Sequence, residues 1–170
     1  MALPDRFTTA RLRAERLTSA DFAEICRMHS DVAVMAHLGG VRDAPASALY
    51  LERNLRHWDE HGFGLWIVYE RDGSEPIGRA MLRHLLVDYV DEIEVGYALY
   101  EPFWGRGLAT EVTLACLPLA RNVLRCSSIV AVTYPENAAS QHVLTKAGLA
   151  YERDITLDGA RCHLFRTCDP

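Results

Sequence analysis

The sequence lacks any long apolar run. No segment approaches the roughly 20 consecutive apolar residues that a membrane-spanning helix requires. The N-terminal segment MALPDRFTTARLRAERL also lacks the apolar stretch of a secretory signal peptide. We therefore expect a cytoplasmic protein that has no membrane partner.

An excess of positive charge is missing as well. The formal net charge of −5 argues against a nucleic-acid-binding surface. The five cysteines show no CxxC spacing, which predicts reduced thiols rather than a disulfide framework. Since no repeat and no Pro/Gly/Ser-rich linker divides the 170 residues, we expect a single domain over residues 1–170.

The hydrophobic periodicity predicts a mixed α/β (α+β) fold in the order β-αα-βββ-α-β-α-ββ. We expect a mostly antiparallel sheet of about seven strands, flanked by four helices, with one or two βαβ crossovers. The predicted strands lie at 8–17, 63–70, 77–86, 91–100 and 127–134 and in a hairpin around the Asp158-Gly159 turn. The predicted helices run from Thr18 or Ser19 to about 29, from 43 to 62, from 108 to 124 and from about 137 to 148.

A glycine pair stands between the fourth predicted strand and the helix that follows it. In YEPFWGRGLATE (100–111), Gly105 and Gly107 flank Arg106. One interpretation is a tight turn; the other is an anion site, because helix N-termini offer free N–H groups and a positive dipole end. A Walker A motif is absent, and the dinucleotide fingerprint lacks its third glycine.

A second motif carries histidines. HWDEH at 57–61 matches the H-x-x-E-H pattern of zinc peptidases. It falls at the end of a predicted helix, where histidine suits the helix dipole and Trp58 would face the core. We therefore expect structural histidines and no bound metal.

Two longer blocks carry a family resemblance. EIEVGYALYEPFWGRGLATEV, followed by YPENAASQHVLTKAGL, resembles the GNAT superfamily of acyl-CoA-dependent N-acetyltransferases, and most closely its ribosomal-protein-alanine acetyltransferase branch. The segment 104–109 stands at the family's glycine loop, and Asn137, Ser140 and Gly148 match its N-x-x-S…G segment. The resemblance covers roughly residues 10–166.

The resemblance implies acetyl-CoA as the acyl donor. The fourth and fifth strands would splay apart at a bulge, for which Gly96 is well placed, and the pantetheine arm would pair with the fourth strand. The pyrophosphate would bind loop N–H groups, with Arg106 in support; Asn137 would fix the loop, bind the pantetheine or simply cap its helix. The implied cofactor-binding residues are Tyr97, Ala98, Leu99, Trp104, Gly105, Arg106, Gly107, Leu108, Ala109, Thr110, Asn137 and Ser140.

The implied chemistry is direct acetyl transfer to a primary amine, either a protein N-terminus or a small molecule. Glu94 is the first candidate for the general base and Glu92 the alternative, although both could be solvent-facing strand carboxylates. A tyrosine common in the family's last helix is Leu144 here, which leaves Ser140 as the candidate partner of the leaving thiolate. A non-catalytic acyl-CoA sensor of the same fold is the alternative function.

The resemblance also implies where partners would bind. The acceptor pocket would be built from MHSDVAVMAHLGGVRD and YERDITLDGARCHLF, and the family often forms homodimers. Acidic residues in or beside these segments could attract an amine or be ordinary surface charges; they are Asp31, Asp43, Asp154 and Asp158.

Overall fold

The computed structural model describes residues 2–167, which contain one eight-stranded sheet. Its spatial order is β1-β2-β3-β4-β5-β6-β8-β7, and every neighbouring pair is antiparallel except β5 and β6. The strands are β1 (Arg6–Thr8), β2 (Leu12–Arg16), β3 (Leu65–Glu70), β4 (Pro76–Val87), β5 (Val90–Leu99), β6 (Val130–Thr133), β7 (Leu149–Leu157) and β8 (Ala160–Thr167). The predicted mixed, mostly antiparallel fold is confirmed.

Helices cover both faces of the sheet. They are α1 (Phe22–Ser30), α2 (Val32–Met35), α3 (Ala44–His61), α4 (Leu108–Pro118) and α5 (Ala138–Lys146). Residues of α1 and α3 pack against Ile67 and Met81. Residues of α4 and α5 pack against Ala80 and Leu82, which point the other way because successive strand residues alternate between faces.

Two elements differ from the sequence prediction. The single strand expected at 8–17 is a hairpin of β1 and β2, in which Phe7 pairs with Ala14. The Thr9 hydroxyl closes the turn of this hairpin by accepting a hydrogen bond from the Leu12 N–H. The turn therefore contains neither glycine nor proline, the residues that usually indicate a turn in a sequence. The short helix α2 was also not predicted; Asp31 caps it by accepting from the Val34 N–H.

Several predicted boundaries are confirmed. Asp43 caps α3, and Gly62 ends it with a left-handed φ of 74°. The helix predicted over 108–124 is shorter in its regular part: α4 ends at Pro118 and the chain continues as a π-helical turn over Leu119–Val123, because proline has no N–H to donate to the preceding turn. Asp158 and Gly159, with φ values of 50° and 79°, form the turn between β7 and β8.

The sheet splays between β5 and β6. These strands are in register at a single pair, Glu94 with Val130, and diverge beyond it. The β4–β5 register is unbroken, so the bulge predicted at Gly96 is absent from that ladder. Gly96 instead makes room for a neighbour, because a Cβ there would lie 2.6 Å from the Met81 Cε.

Two further properties bear on the expectations from sequence. None of the described helices is both long and apolar enough to cross a membrane. Cys26, Cys116, Cys126 and Cys162 are free thiols, and Cys168 lies outside the described residues.

Candidate active site

The splay gives β5 an open edge. Alternate residues of an antiparallel strand turn their N–H and C=O groups to opposite neighbours, so part of the β5 backbone beyond Glu94 faces a gap instead of β6. Tyr97, Ala98 and Leu99 lie on this stretch. Ala98 and Leu99 are buried, and the Leu99 carbonyl accepts a hydrogen bond from the Trp104 indole.

Glu94 is buried rather than solvent-facing. It is 5% exposed and pairs across the strands with Arg83, whose Nε donates to Glu94 Oε2 at 2.5 Å. Burial works against the charge of Arg83, but attraction to Glu94 and this hydrogen bond outweigh it and raise the Arg83 pKa. The pair therefore holds a carboxylate at the last residue before the splay, on the α1–α3 face.

Glu92 belongs to a different network. It accepts two hydrogen bonds from Arg166, at 2.8 and 3.1 Å, and Arg166 also binds Ser128 and Glu152. The bond to Glu92 is the largest of the effects that raise the Arg166 pKa. Glu92 therefore joins β5 to β8 before the strands diverge. Because both of its carboxylate oxygens are bound by Arg166, Glu94 is the better candidate for the base.

Tyr97 projects to the opposite face, where its hydroxyl donates to Ser140 Oγ at 3.1 Å. Burial raises the pKa of Tyr97, and the bond to Ser140 offsets part of the rise. The sequence prediction used only the backbone of Tyr97. The contact joins residues 43 positions apart, so spacing along the chain gave no signal for it.

Ser140 is held in place by Asn137. The Asn137 Oδ1 accepts a hydrogen bond from the Ser140 N–H at 3.0 Å and thereby caps α5. Of the roles considered for Asn137, the helix cap is therefore the one that matches its contact. Leu144, the position at which the family resemblance implies a tyrosine, is 2% exposed and packs in the core. The hydroxyl groups near the splay are therefore those of Tyr97 and Ser140.

The glycine loop forms the N-terminus of α4. Gly105 and Gly107 have φ values of 69° and 75°, so the turn itself requires glycine. Within the described chain, no acceptor binds the N–H groups of 105–110, whereas the Glu111 N–H donates to the Gly107 carbonyl. A Cβ on Gly105 would meet nothing within 4 Å, so the space beside Gly105 is open, whereas a Cβ on Gly107 would lie 3.6 Å from Arg11 Nη2.

Two side chains of the loop have partners in the protein. Arg106 Nη2 lies 2.8 Å from Glu70 Oε1, and both side chains are about half exposed. The Trp104 indole, which is 50% exposed, donates to the Leu99 carbonyl at 2.6 Å. Leu108 is a core residue, whereas Ala109 and Thr110 complete the first turn of α4 at intermediate exposure.

A clamp from the β1–β2 turn anchors this loop, and sequence reasoning missed it. Arg11 Nη1 donates to the Arg106 carbonyl at 2.8 Å, and Arg11 Nε donates to Glu111 at 2.7 Å. Glu111 also accepts from the Arg11 N–H and the Thr9 hydroxyl. The partners are about 100 residues apart in the chain, so local pattern could not reveal them.

Three of the four acidic residues that could attract an amine have structural partners. Asp31 and Asp43 cap α2 and α3. Asp154 accepts two hydrogen bonds from Arg161, at 2.6 and 3.0 Å, and Asp158 lies in the β7–β8 turn.

The histidines of HWDEH also have structural contacts. His57 Nδ1 donates to the Phe63 carbonyl at 2.7 Å, and Nε2 accepts from the His84 N–H at 3.2 Å. Burial lowers the pKa of His57 despite the carbonyl bond. Both ring nitrogens of His57 are thus hydrogen-bonded to backbone groups of the protein.

The splayed sheet, with a row of free N–H groups at the following helix, is the architecture of an acyl-CoA-dependent transferase. Residues 11–150 match the family described as the acetyltransferase (GNAT) domain, and the chain therefore belongs to the GNAT acetyltransferase family. The family resemblance drawn from the sequence is confirmed.

Solved structures agree. An acetyltransferase from Agrobacterium tumefaciens superposes with a TM-score of 0.85 at 25% identity, covering 99% of this chain and 96% of that one. A ribosomal-protein-S5-alanine acetyltransferase from Vibrio fischeri gives 0.73 at 17% identity, with 96% of each chain covered. An aminoglycoside acetyltransferase in complex with coenzyme A gives 0.75 at 17% identity, with 92% of each covered. The last two likenesses show the shared fold.

Proposed function

We propose that the protein is an N-acetyltransferase that moves the acetyl group of acetyl-CoA directly to a primary amine. The observation that carries the proposal is the arrangement of β5 at the splay. A buried carboxylate, Glu94, lies on one face of the sheet, and a hydroxyl pair, Tyr97 and Ser140, lies on the other. Direct transfer needs a proton acceptor on the amine side and a hydrogen-bond donor on the thiolate side.

The described residues fit acetyl-CoA. The N–H groups of 105–110 meet no acceptor within the described chain and stand at the positive end of α4, which suits a pyrophosphate. The open edge of β5 suits the amides of a pantetheine arm, which can pair like an added strand. Bound there, acetyl-CoA supplies an activated acyl group at the splay, next to Glu94 and Tyr97.

Glu94 is the proposed general base. Arg83 binds only Oε2, and Oε1 has no hydrogen-bond partner among the described residues. Oε1 is therefore the oxygen that can take a proton from the incoming ammonium, directly or through one water.

Tyr97 and Ser140 are the proposed partners of the leaving thiolate. Tyr97 is protonated at neutral pH, since burial raises its pKa further from neutrality. In the structure its proton is directed to Ser140 Oγ, whose own proton is then free to point into the splay. This pair replaces the helix tyrosine that Leu144 rules out.

The test separates binding from turnover. Calorimetric titration with acetyl-CoA should show binding to wild type and loss of it in Thr110→Glu, which places a carboxylate where the phosphates would lie. A first-turn glutamate suits the helix dipole, so Thr110→Glu should stay folded. Leu114→Glu, on an exposed position of the same helix, is the matched control and should bind normally.

Turnover is followed as thiol release with a panel of primary amines. Glu94→Gln and Tyr97→Phe should keep acetyl-CoA binding and lose about 100-fold or more in kcat, the range of general acid–base catalysis. Amine-independent binding with no thiol release would instead support the sensor alternative. Absence of acetyl-CoA binding to folded wild type would contradict both functions.

A further inference from the structure

A group of polar side chains beneath α1 and α3 has no role in the reaction described above. His29, Arg42, Tyr50 and Arg79, here called the Tyr50 cluster, surround the Tyr50 ring. The Arg42 and Arg79 guanidiniums each lie 5.4 Å from the ring centroid, and the His29 ring lies 4.7 Å from it. The cluster brings together α1, the segment before α3, α3 itself and β4.

The cluster holds two cations and no anion. Arg79 is 6% exposed, and its one side-chain hydrogen bond is a weak contact from Nη1 to Met81 Sδ at 3.5 Å. Among the described residues, the Arg42 guanidinium donates only to the Leu38 carbonyl, at 3.2 Å. Within residues 2–167, neither arginine forms a salt bridge with a carboxylate, whereas buried guanidiniums are normally paired.

Three buried polar atoms of the cluster have no hydrogen-bond partner among the described residues. They are Arg79 Nε, the Tyr50 hydroxyl and His29 Nε2. Buried polar groups are almost always satisfied, so three orphans around one ring indicate a missing binding partner. Two of them, Arg79 Nε–H and Tyr50 O–H, are donors, and with two adjacent guanidiniums they suit an anion.

The position of the cluster relates it to the transfer site. Arg79 and Arg83 lie on the same face of β4, four residues and about 13 Å apart along the strand. Tyr50 also packs against the hydrophobic cluster that contains Met81, which lies between Arg79 and Arg83 on that face of β4. The cluster is thus on the α1–α3 face with the proposed base, away from the face of α4, α5 and the Tyr97–Ser140 pair.

We infer that the Tyr50 cluster binds an anionic group, a carboxylate or a phosphate, of the acetyl acceptor, several bonds from the amine that Glu94 deprotonates. The inference rests on the proposed function for its identification of the ligand as the acceptor. The anion site itself rests only on the cluster. It differs from the alternative in which acidic residues attract the acceptor, since Asp31 and Asp43 serve as helix caps.

The first experiment tests the anion site without acetyl transfer. The melting temperature of the full chain is measured in sodium sulfate and in sodium chloride at equal ionic strength, for wild type, Arg79→Met and Arg53→Gln. Arg53, an exposed residue of α3, is the charge-matched control. Sulfate stabilises proteins in general, so the informative quantity is the difference between variants.

Wild type and Arg53→Gln should gain more from sulfate than Arg79→Met does. In chloride, Arg79→Met should melt at or above the wild-type temperature, because it removes an unpaired buried charge; a purely structural arginine would give the reverse. Equal sulfate gains in all three proteins would overturn the anion site, whatever the enzyme activity. A sulfate bound at the α4 N-terminus would contribute equally to all three.

The second experiment tests the acceptor. Thiol release is measured with matched amines: trialanine against trialanine amide, and glucosamine 6-phosphate against glucosamine. Wild type should prefer the anionic member of at least one pair by about tenfold or more in kcat/KM, the effect of a charged hydrogen bond. The preferred pair tells carboxylate from phosphate.

Arg79→Met and Tyr50→Phe should abolish that preference, whereas the control variant Arg53→Gln should keep it. Tyr50→Phe removes a hydroxyl that has no hydrogen-bond partner among residues 2–167, so no bond to these residues is lost with it. Equal rates for both members of each pair would overturn the acceptor assignment while leaving the transferase function intact. No release with any amine would count against the proposed function, with the sulfate result still deciding the anion site.

Discussion

At the scale of single residues, His29 shows most clearly how surroundings set a charge state. Its Nδ1 lies 2.9 Å from Ser47 Oγ, and the Ser47 hydroxyl donates to the Asp43 carbonyl. Nδ1 must therefore carry a proton and donate to Ser47. Burial, followed by the charges of Arg42 and Arg79, lowers the pKa of His29 to about 4, so the ring is neutral at pH 7.

This buried histidine predicts a pH-dependent stability. The unfolded chain binds a proton near the ordinary value of 6.5 and the folded chain only near 4, so stability is lost as pH falls through that window. Between pH 7 and pH 5 the loss from His29 should be about 2 kcal/mol. Between pH 7 and pH 5, the free energy of unfolding of His29→Gln should therefore fall by about 2 kcal/mol less than that of wild type, as measured by denaturant unfolding.

The exposed residue His142 supplies the control for this measurement. His142→Gln should keep the full wild-type pH dependence. If His29→Gln and wild type lost equal stability between pH 7 and pH 5, the neutral buried state of His29 would be wrong.

The sequence predicted which residues form the candidate site, but it did not predict the contacts that surround them. Alternation along β5 indicated that Glu94 and Tyr97 point to opposite faces. The burial of Glu94 and its pairing with Arg83 depend on the β4–β5 register, and the Tyr97–Ser140 bond depends on how α5 returns over the sheet. Such contacts depend on tertiary packing, for which one sequence carries no local signal.

At the scale of elements, the β1–β2 turn and the start of α4 form one unit. Glu111 accepts hydrogen bonds from Thr9 and Arg11, and Arg11 also binds the carbonyl of Arg106. Burial alone would raise the pKa of Glu111, but these bonds outweigh it and lower the pKa. The loop with the free N–H groups is therefore held from outside its own helix.

Removing this clamp should affect both stability and cofactor binding. We expect Glu111→Ala to lower the free energy of unfolding by about 1–3 kcal/mol, because it leaves partly buried donors unpaired. Acetyl-CoA affinity should fall as well, since the loop is less ordered. Denaturant unfolding and calorimetry measure the two effects.

The pair Glu52–Arg56 on α3 is the matched control, as an exposed ion pair far from the loop. Glu52→Ala should cost less than about 0.5 kcal/mol and leave acetyl-CoA binding unchanged. A Glu111→Ala protein with wild-type stability and affinity would contradict the role of the clamp.

Elements with strong local signals were predicted well, and elements set by distant contacts were not. Asp43 and Gly62 marked helix boundaries through a side-chain cap and a left-handed backbone conformation. The β1–β2 hairpin was missed because a threonine side chain makes its turn. The splay was predicted from the family resemblance, and no residue pattern showed that β5 and β6 share a single pair.

At the scale of the whole molecule, the sheet has a seam between β5 and β6, where Glu94 and Val130 form the single pair. The strands β1 to β5 form one antiparallel half and β6 to β8 the other. A ligand that pairs with β5 and contacts the start of α4 would bridge the seam, because α4 is the connection between the halves. Ligand binding should therefore stabilise the whole fold.

We expect acetyl-CoA at 100 times its dissociation constant to stabilise the protein by about 2.7 kcal/mol, from mass action alone. For a chain of this size the melting temperature should rise by about 5–11 °C. Thermal unfolding with and without acetyl-CoA measures the shift. Thr110→Glu should show no rise, and a full rise in that variant would place the ligand elsewhere.

The placement of the two proposed sites on opposite faces of β5 has a consequence for how such proteins diversify. The donor side draws on the glycine loop, α4 and α5, whereas the acceptor side draws on α1, α3 and the odd-numbered residues of β4. Mutations that remodel one face leave the other face of the sheet in place. A lineage with this architecture can exchange one acceptor for another over generations and keep an unchanged acetyl donor throughout.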